Sequence, residues 1–257
     1  MRNSDIQPII SICLQVHNNA YFLPEALDSL LTQSLDNFEI IAIDDFSRDD
    51  SYKVLKAFRQ IDKRLKVYKN VKHYGKAMTL NRALKRAKGQ YIAFMDAEDI
   101  LYKDRLKKQL SFLENNPKIV AVGTQCTFIN ESGKRLGKSV YPEDTQHIYN
   151  KPLHGISMQF ETVMINKYNL PKDLLYFNTK EDALLYSDLF IKILAYGELT
   201  NLPDTLQYHR KHTDSYPSLF KQLPNLLKVW TKYMADQEYN FSLRSLYTTF
   251  FKPRLGV

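Results

Sequence analysis

The sequence predicts an α/β fold: a Rossmann-like, mostly parallel sheet flanked by helices, with a helical C-terminal extension. Two observations predict the sheet. Short apolar runs rich in β-branched and aromatic residues alternate with segments of helical apolar spacing through the first half of the chain. The connections between them are short, as parallel strands joined by covering helices require. At 257 residues the chain is long enough to bury a sizeable core.

The elements follow in order. Pro8–Val16 (PIISICLQV) is a continuous apolar strand, and Tyr21–Gln33 a helix through Leu23, Leu27, Leu30 and Leu31. Phe38–Asp44 (FEIIAID) is the second strand, and Arg48–Ile61 a helix that Asp49 or Asp50 caps. Arg64–Asn70 is the third strand, and Lys76–Lys88 a helix stopped by Gly89. Tyr91–Met95 is the fourth strand, Lys103–Asn116 a helix ended by Pro117, and Lys118–Ile129 the fifth strand.

Beyond about residue 130 the alternation weakens. Glu131–Gly137 reads as a turn between strands, Met158–Lys167 as a strand, and Glu181–Gly197 as an amphipathic helix. Tyr208–Pro217 reads as a polar loop. Ser218–Val257 reads as helical and basic, with Leu223, Leu226, Leu227 and Trp230 on one stripe. The division expected is a domain over 1–216, with a nucleotide-binding half to about 100 and an acceptor half from about 101, then an extension over 217–257.

Composition narrows the function. Hydrophobic residues are 44% and charged residues 25%, ordinary for a globular protein. The net charge of +8 suits anionic partners, although much of it lies on helical faces already mixed with acids. No zinc-finger spacing or recognition-helix pattern appears, so nucleic acid is not expected. Cys13 and Cys126 lie in apolar runs, which suggests buried thiols in a reducing compartment. No apolar run reaches the roughly 18 residues of a spanning helix, and the N-terminus lacks a signal-peptide core. The expected location is the cytoplasm, with a peripheral place on the inner face of the membrane open to the basic tail; that tail suits a homodimer contact equally.

In open parallel sheets ligands bind outside the carboxyl ends of the strands. Those ends carry HNN (His17–Asn19), DD (Asp44, Asp45), NVKHYG (Asn70–Gly75) and DAED (Asp96–Asp99). Carboxylates clustered at one edge repel unless something positive lies between them.

Three segments carry a resemblance: SICLQVHNNAYFLPEALDSLLTQSLDNFEIIAIDDFSRDDS, GKAMTLNRALKRAKGQYIAFMDAEDI and, more weakly, EDALLYSDLFIKILAYG with YHRKH. Over roughly residues 8–216 the chain resembles the family-2 inverting glycosyltransferases of GT-A fold. The resemblance implies transfer of a sugar from a nucleotide-diphosphate sugar, with UDP favoured, to a hydroxyl on a glycan or polyprenyl-linked acceptor. Bacterial surface-polysaccharide assembly is the implied setting, and a divalent Mn²⁺ or Mg²⁺ ion the implied cofactor.

It also implies site residues. Val16, His17 and Asn18 stand where the family has Thr-Tyr-Asn, and Asp44 and Asp45 match the acidic pair that meets the base. Gly75, Lys76 and Asn81 match the loop and helix beneath the sugar nucleotide. Asp96, Ala97 and Glu98 match Asp-x-Asp, with Asp96 and Glu98 toward the metal. Arg210 and His212 resemble a late Arg-x-His element, with Arg210 toward the diphosphate and His212 a further metal ligand. The implied catalytic base is Asp182, with Asp188 the alternative, because the family spacing counted from Gly197 lands near Tyr186. Leu80 and Glu98 depart from the family pattern. Those departures leave a second reading: a nucleotide-sugar-binding protein with little turnover.

Overall fold

A computed structural model describes residues 7–144, 158–179 and 185–212. Strands and helices alternate as the apolar spacing predicts: β1 (Ile10–Val16), α1 (Leu23–Leu31), β2 (Phe38–Asp44), α2 (Ser51–Ile61), β3 (Leu65–Lys69), α3 (Lys76–Leu84), β4 (Tyr91–Asp96). Then come β5 (Ile100–Leu101), α4 (Arg105–Asn115), β6 (Ile119–Ile129), β7 (Arg135–Lys138), a 3₁₀ turn (Phe160–Thr162), β8 (Met164–Asn166), α5 (Leu185–Leu194) and β9 (Glu198–Arg210).

The strand order is β3-β2-β1-β4-β8-β6-β9-β5, with β7 on β6. Strands β3, β2, β1 and β4 run parallel, which sets the carboxyl ends of β1, β2 and β4 side by side: Val16 pairs with Asp44, and Gln15 with Asp96. Past β4 the sheet is mixed. Strand β8 is antiparallel to both β4 and β6, while β6 and β9 are parallel.

Side-chain alternation divides the core between the two faces. On one face, Ile10, Ile12 and Leu14 pack with Leu23, Leu27 and Leu30 of α1 and with α4. On the other, Cys13, Ile92 and Phe94 pack with Ala77, Leu80 and Ala83 of α3 and with Leu189, Phe190 and Ile193 of α5. Truncating a residue such as Leu27, fully buried, costs about 2–5 kcal/mol. Gly89 is required by close approach: a Cβ there would lie 2.5 Å from the Ser11 amide nitrogen.

Several boundaries differ from the sequence reading. Residues 158–167 are not one strand; Phe160–Thr162 form a 3₁₀ turn before the short β8. The larger correction is β9. Tyr208–Arg210 end a 13-residue strand and do not belong to a loop. Pro203 and many polar residues disguise β9, yet it pairs along most of β6, with register shifts at Thr124, Gln125 and Cys126. Asp49, not Asp50, serves the start of α2: its Oδ1 accepts the Ser51 amide at 3.0 Å. Residues 181–184, containing Asp182, and the extension from 213 onward lie outside the described residues.

Candidate active site

The rim formed by β1, β2 and β4 is closed on one side by the loop before α3 and on the other by the end of β9. Asp45 organises the first part. Its carboxylate is fully buried and accepts from Asn70 Nδ2 (2.7 Å), the Tyr74 amide (2.9 Å) and the Gly75 amide (2.9 Å). His73 Nδ1 adds a fourth contact at 3.0 Å. Gly75 has φ of 83°, a left-handed turn that turns its amide toward Asp45. Asp45, expected to meet the base, is therefore occupied by four protein donors. Asp44, also fully buried, takes the Ser47 amide on Oδ2, and its Oδ1 has no partner among the described residues.

The loop after β1 interlocks with the loop after β2. Val16 is buried, and its carbonyl accepts the Asp45 amide at 2.7 Å. Asn18, with φ of 56°, donates its amide to Ser47 Oγ and accepts the Arg48 amide on Oδ1. His17 Nδ1 lies 2.8 Å from the Asp45 carbonyl, and its ring lies 4.2 Å from that of His73.

At the end of β4, Lys76 supplies a positive charge among the acids. Its Nζ lies 3.0 Å from Asp96 Oδ2 and 3.5 Å from Glu161 Oε1, and 5.5 Å from the centre of the Tyr186 ring. Burial works against the ammonium, but Asp96, Tyr186 and Glu161 outweigh it and hold Lys76 well above its ordinary range. Asp96 shows the mirror effect: burial pushes it up, and Lys76 pulls it below the usual carboxylate range. Asp96, expected near metal or ribose, thus has a protein cation as partner. Ala97, fully buried, separates Asp96 from Glu98.

Glu98 points the other way. Its Oε1 accepts Asn19 Nδ2 at 2.7 Å, and its Oε2 contacts His212 Nε2. The opposite nitrogen of His212 lies 2.7 Å from Glu131 Oε1. Both carboxylates raise the His212 pKa, Glu131 most, against a smaller effect of burial. Among the described residues no three His, Cys, Asp or Glu side chains form a metal cage. Glu98 and His212 nevertheless give one oxygen and one nitrogen donor in contact. Both His212 nitrogens face carboxylates, so holding an ion there requires the imidazole to give up a proton and its Glu98 contact, with phosphate and water supplying the rest of the shell.

Arg210 is engaged by the protein itself. It was expected over the diphosphate, but its side chain is buried and braced by the Glu98, Asn130 and Glu131 carbonyls, all at 3.0 Å, and by Glu25 Oε2 at 3.0 Å. Its guanidinium also covers Phe22 at 4.4 Å. Asn81 likewise faces protein: its side chain exchanges two 2.8 Å bonds with the Phe177 backbone, tying α3 to the segment before α5. Asp188 is buried in the first turn of α5 and pairs with Lys192 one turn on.

Other groups lie outside the motif matches, although Asp99 stands in the DAED run at the end of β4. Asp99 is buried and accepts Gln207 Nε2 (2.6 Å), His209 Nδ1 (3.0 Å) and the Arg210 amide (2.9 Å), fastening β9 to the end of β4. Burial lowers the His209 pKa, but Asp99 outweighs it and brings the imidazole to about 9. Glu161 is buried beside Gln159, whose Nε2 donates to it at 2.6 Å. An acid inside the apolar run MQFETVMI was the available hint, since unpaired acids are seldom buried. Asn19, which donates to Glu98, was legible only as the last residue of HNN at the end of β1.

A mixed sheet with its acidic edge at the ends of parallel β1, β2 and β4 is the GT-A arrangement of a glycosyltransferase. The chain belongs to glycosyl transferase family 2, whose family model matches residues 11–170. An uncharacterized glycosyltransferase of Haemophilus influenzae is 31% identical over 182 residues, 70% of this chain and 71% of that protein. Bacillus subtilis TuaG, a glycosyltransferase named for teichuronic acid biosynthesis, is 28% identical over 74% of this chain and 76% of its own length. Against an uncharacterized glycosyltransferase of Rickettsia conorii the identity is 43% over 127 residues, 49% of this chain, but the match spans only 20% of that longer protein. Among solved structures, S. aureus TarS 1-349 with UDP-GlcNAc superposes with TM-score 0.68 at 21% identity, covering 90% of this chain and 68% of that one. The Pyrobaculum calidifontis mannosyltransferase PcManGT, with GDP-Man and Mn²⁺, gives TM-score 0.68 at 18% identity, covering 91% of this chain and 66% of that one.

Proposed function

We propose that this protein is an inverting glycosyltransferase that moves a sugar from a nucleoside-diphosphate donor, UDP-linked by preference, to a hydroxyl on a glycan or polyprenyl-linked acceptor. One observation carries the reading: Asp45, Lys76 and the Asp96–Glu98 pair, drawn from separate parts of the sequence, gather on one rim with His17 and His212. Donors of this class are bound by the neighbours TarS and PcManGT, and TuaG points to surface-polysaccharide assembly.

In this reading residues 1–100 hold the nucleotide and residues 101–216 the acceptor. Lys76 lies beside Asp96, where its charge offsets the negative charge that collects on the leaving diphosphate. Glu98 and His212 would hold a divalent ion, Mn²⁺ or Mg²⁺, which would supply positive charge to offset that of the leaving diphosphate. Asp182 takes the proton of the acceptor hydroxyl, whose oxygen attacks the anomeric carbon opposite the phosphate; the bonding electron pair leaves with the diphosphate. Asp188 is assigned a structural part because it is buried and paired with Lys192. No helix among the described residues is long and apolar enough to cross a membrane. The reading places the enzyme on the cytoplasmic side, peripheral to the membrane through residues 217–257.

Glu98 and Asp96 already have protein partners, which favours a second reading, a nucleotide-sugar binder with little turnover. A thermal-shift screen of UDP- and GDP-sugars with and without Mn²⁺, followed by donor hydrolysis, separates the two. Mn²⁺-dependent donor cleavage supports the enzyme; a thermal shift without cleavage across acceptors supports the binder. No shift with any nucleotide sugar removes both.

A further inference from the structure

Phe46 follows Asp45 at the end of β2, and its backbone has φ of 63°. That left-handed conformation is uncommon for a bulky aromatic, because the Cβ crowds the backbone; glycine or asparagine adopts it readily. The ring is 44% exposed. An exposed apolar side chain by itself needs no explanation, but one held at a disfavoured φ does.

The surrounding bonds impose the conformation. Before Phe46, the Asp45 amide is held by the Val16 carbonyl at 2.7 Å. After it, Ser47 is fixed by Asp44 Oδ2 at 3.3 Å and by the Asn18 amide at 3.0 Å, and the Arg48 amide by Asn18 Oδ1 at 2.8 Å. The carbonyl of the Asp45–Phe46 peptide lies 2.8 Å from His17 Nδ1 and 3.3 Å from His73 Nδ1. Two imidazoles therefore flank the Asp45 carbonyl, one residue from the exposed Phe46. Asp45 is already filled by protein donors, so polar recognition of a base edge there is limited, and a flat ligand face is what this surface suits.

Resting on the nucleoside-diphosphate reading above, we propose that Phe46 contacts the nucleobase of the donor, its ring packing on the face of the base. Stacking of this kind tolerates different bases.

The test compares wild type with Phe46→Gly and Phe46→Tyr, titrating UDP, GDP and inorganic pyrophosphate, each with Mn²⁺, by calorimetry. Phe46→Gly is expected to bind UDP and GDP about tenfold more weakly, to bind pyrophosphate as wild type does, and to melt roughly 2–4 °C higher because the strained residue is gone. Phe46→Tyr should restore nucleotide affinity. Undiminished UDP affinity in Phe46→Gly, or an equal loss for pyrophosphate, overturns the proposal and leaves the donor reading intact. A folded wild type that binds neither UDP nor GDP overturns the donor reading and this contact with it.

Discussion

The ammonium of Lys76 lies 3.0 Å from Asp96 Oδ2, so the first acid of Asp-Ala-Glu is neutralised by the helix that follows β3. Glu161 shares the same cation at 3.5 Å. Replacing Lys76 with Met leaves two acids at close quarters. Discounted for the partial exposure of Lys76, the expected loss is roughly 1–2 kcal/mol of stability, read by urea unfolding. Donor cleavage should fall further than stability does, and Lys76→Arg should recover most of both. Full activity in Lys76→Met would take this residue out of the reaction.

Asp45→Ala should cost about 2–4 kcal/mol, because Asn70 and the amides of Tyr74 and Gly75 lose their acceptor. In the proposed reading that loop borders the nucleotide, so UDP affinity should drop as well. An unchanged unfolding midpoint would show that the loop does not depend on Asp45.

His209 and Asp99 predict a pH dependence. The folded-state pKa of His209, about 9, lies above its ordinary 6.5. The protonated form is therefore favoured by folding: its contribution is complete below pH 6.5 and is lost as pH rises through about 9. Its size is on the order of 3 kcal/mol at most. Urea unfolding between pH 6 and 10 checks it, and His209→Phe should flatten the slope.

Glu98→Ala should lower Mn²⁺-dependent donor cleavage about 100-fold, and His212→Ala about tenfold, while Glu98→Ala also loses about 1 kcal/mol of stability as Asn19 and His212 lose their acceptor. Activity with the wild-type Mn²⁺ dependence in Glu98→Ala would move the ion elsewhere.

The assignment of the base separates Asp182 from Asp188. Asp182→Asn should bind donor normally and slow transfer about 100- to 10,000-fold. Asp188→Asn should mainly lower stability, by breaking its pair with Lys192. Wild-type turnover in Asp182→Asn would reverse the two parts.

Much of the first hundred residues was legible because each strand there is a short apolar run between turn residues. The bounds of β2 follow from FEIIAID alone, and the parallel order places Asp44 and Asp96 on one edge. Strand β9 was not legible, because a polar segment containing Pro203 becomes a strand only through its partner β6. Motif matching picked out residues that the fold brings to one rim, but not their partners. Asp45, Asn81 and Arg210 all make contacts with the protein itself, set by loops whose geometry no local pattern encodes. Glu161 reached the site through a 3₁₀ turn hidden inside an apolar run.

The two thiols have a practical consequence. Cys13 and Cys126 are both buried and unbridged; burial drives Cys13 far above its ordinary value and Cys126 to about 12. Neither forms a thiolate at neutral pH, so both should resist maleimide while the fold is intact. A cysteine placed at exposed Tyr21, beside the rim, would then accept a fluorophore selectively in the otherwise native background, and nucleotide arrival could be followed optically.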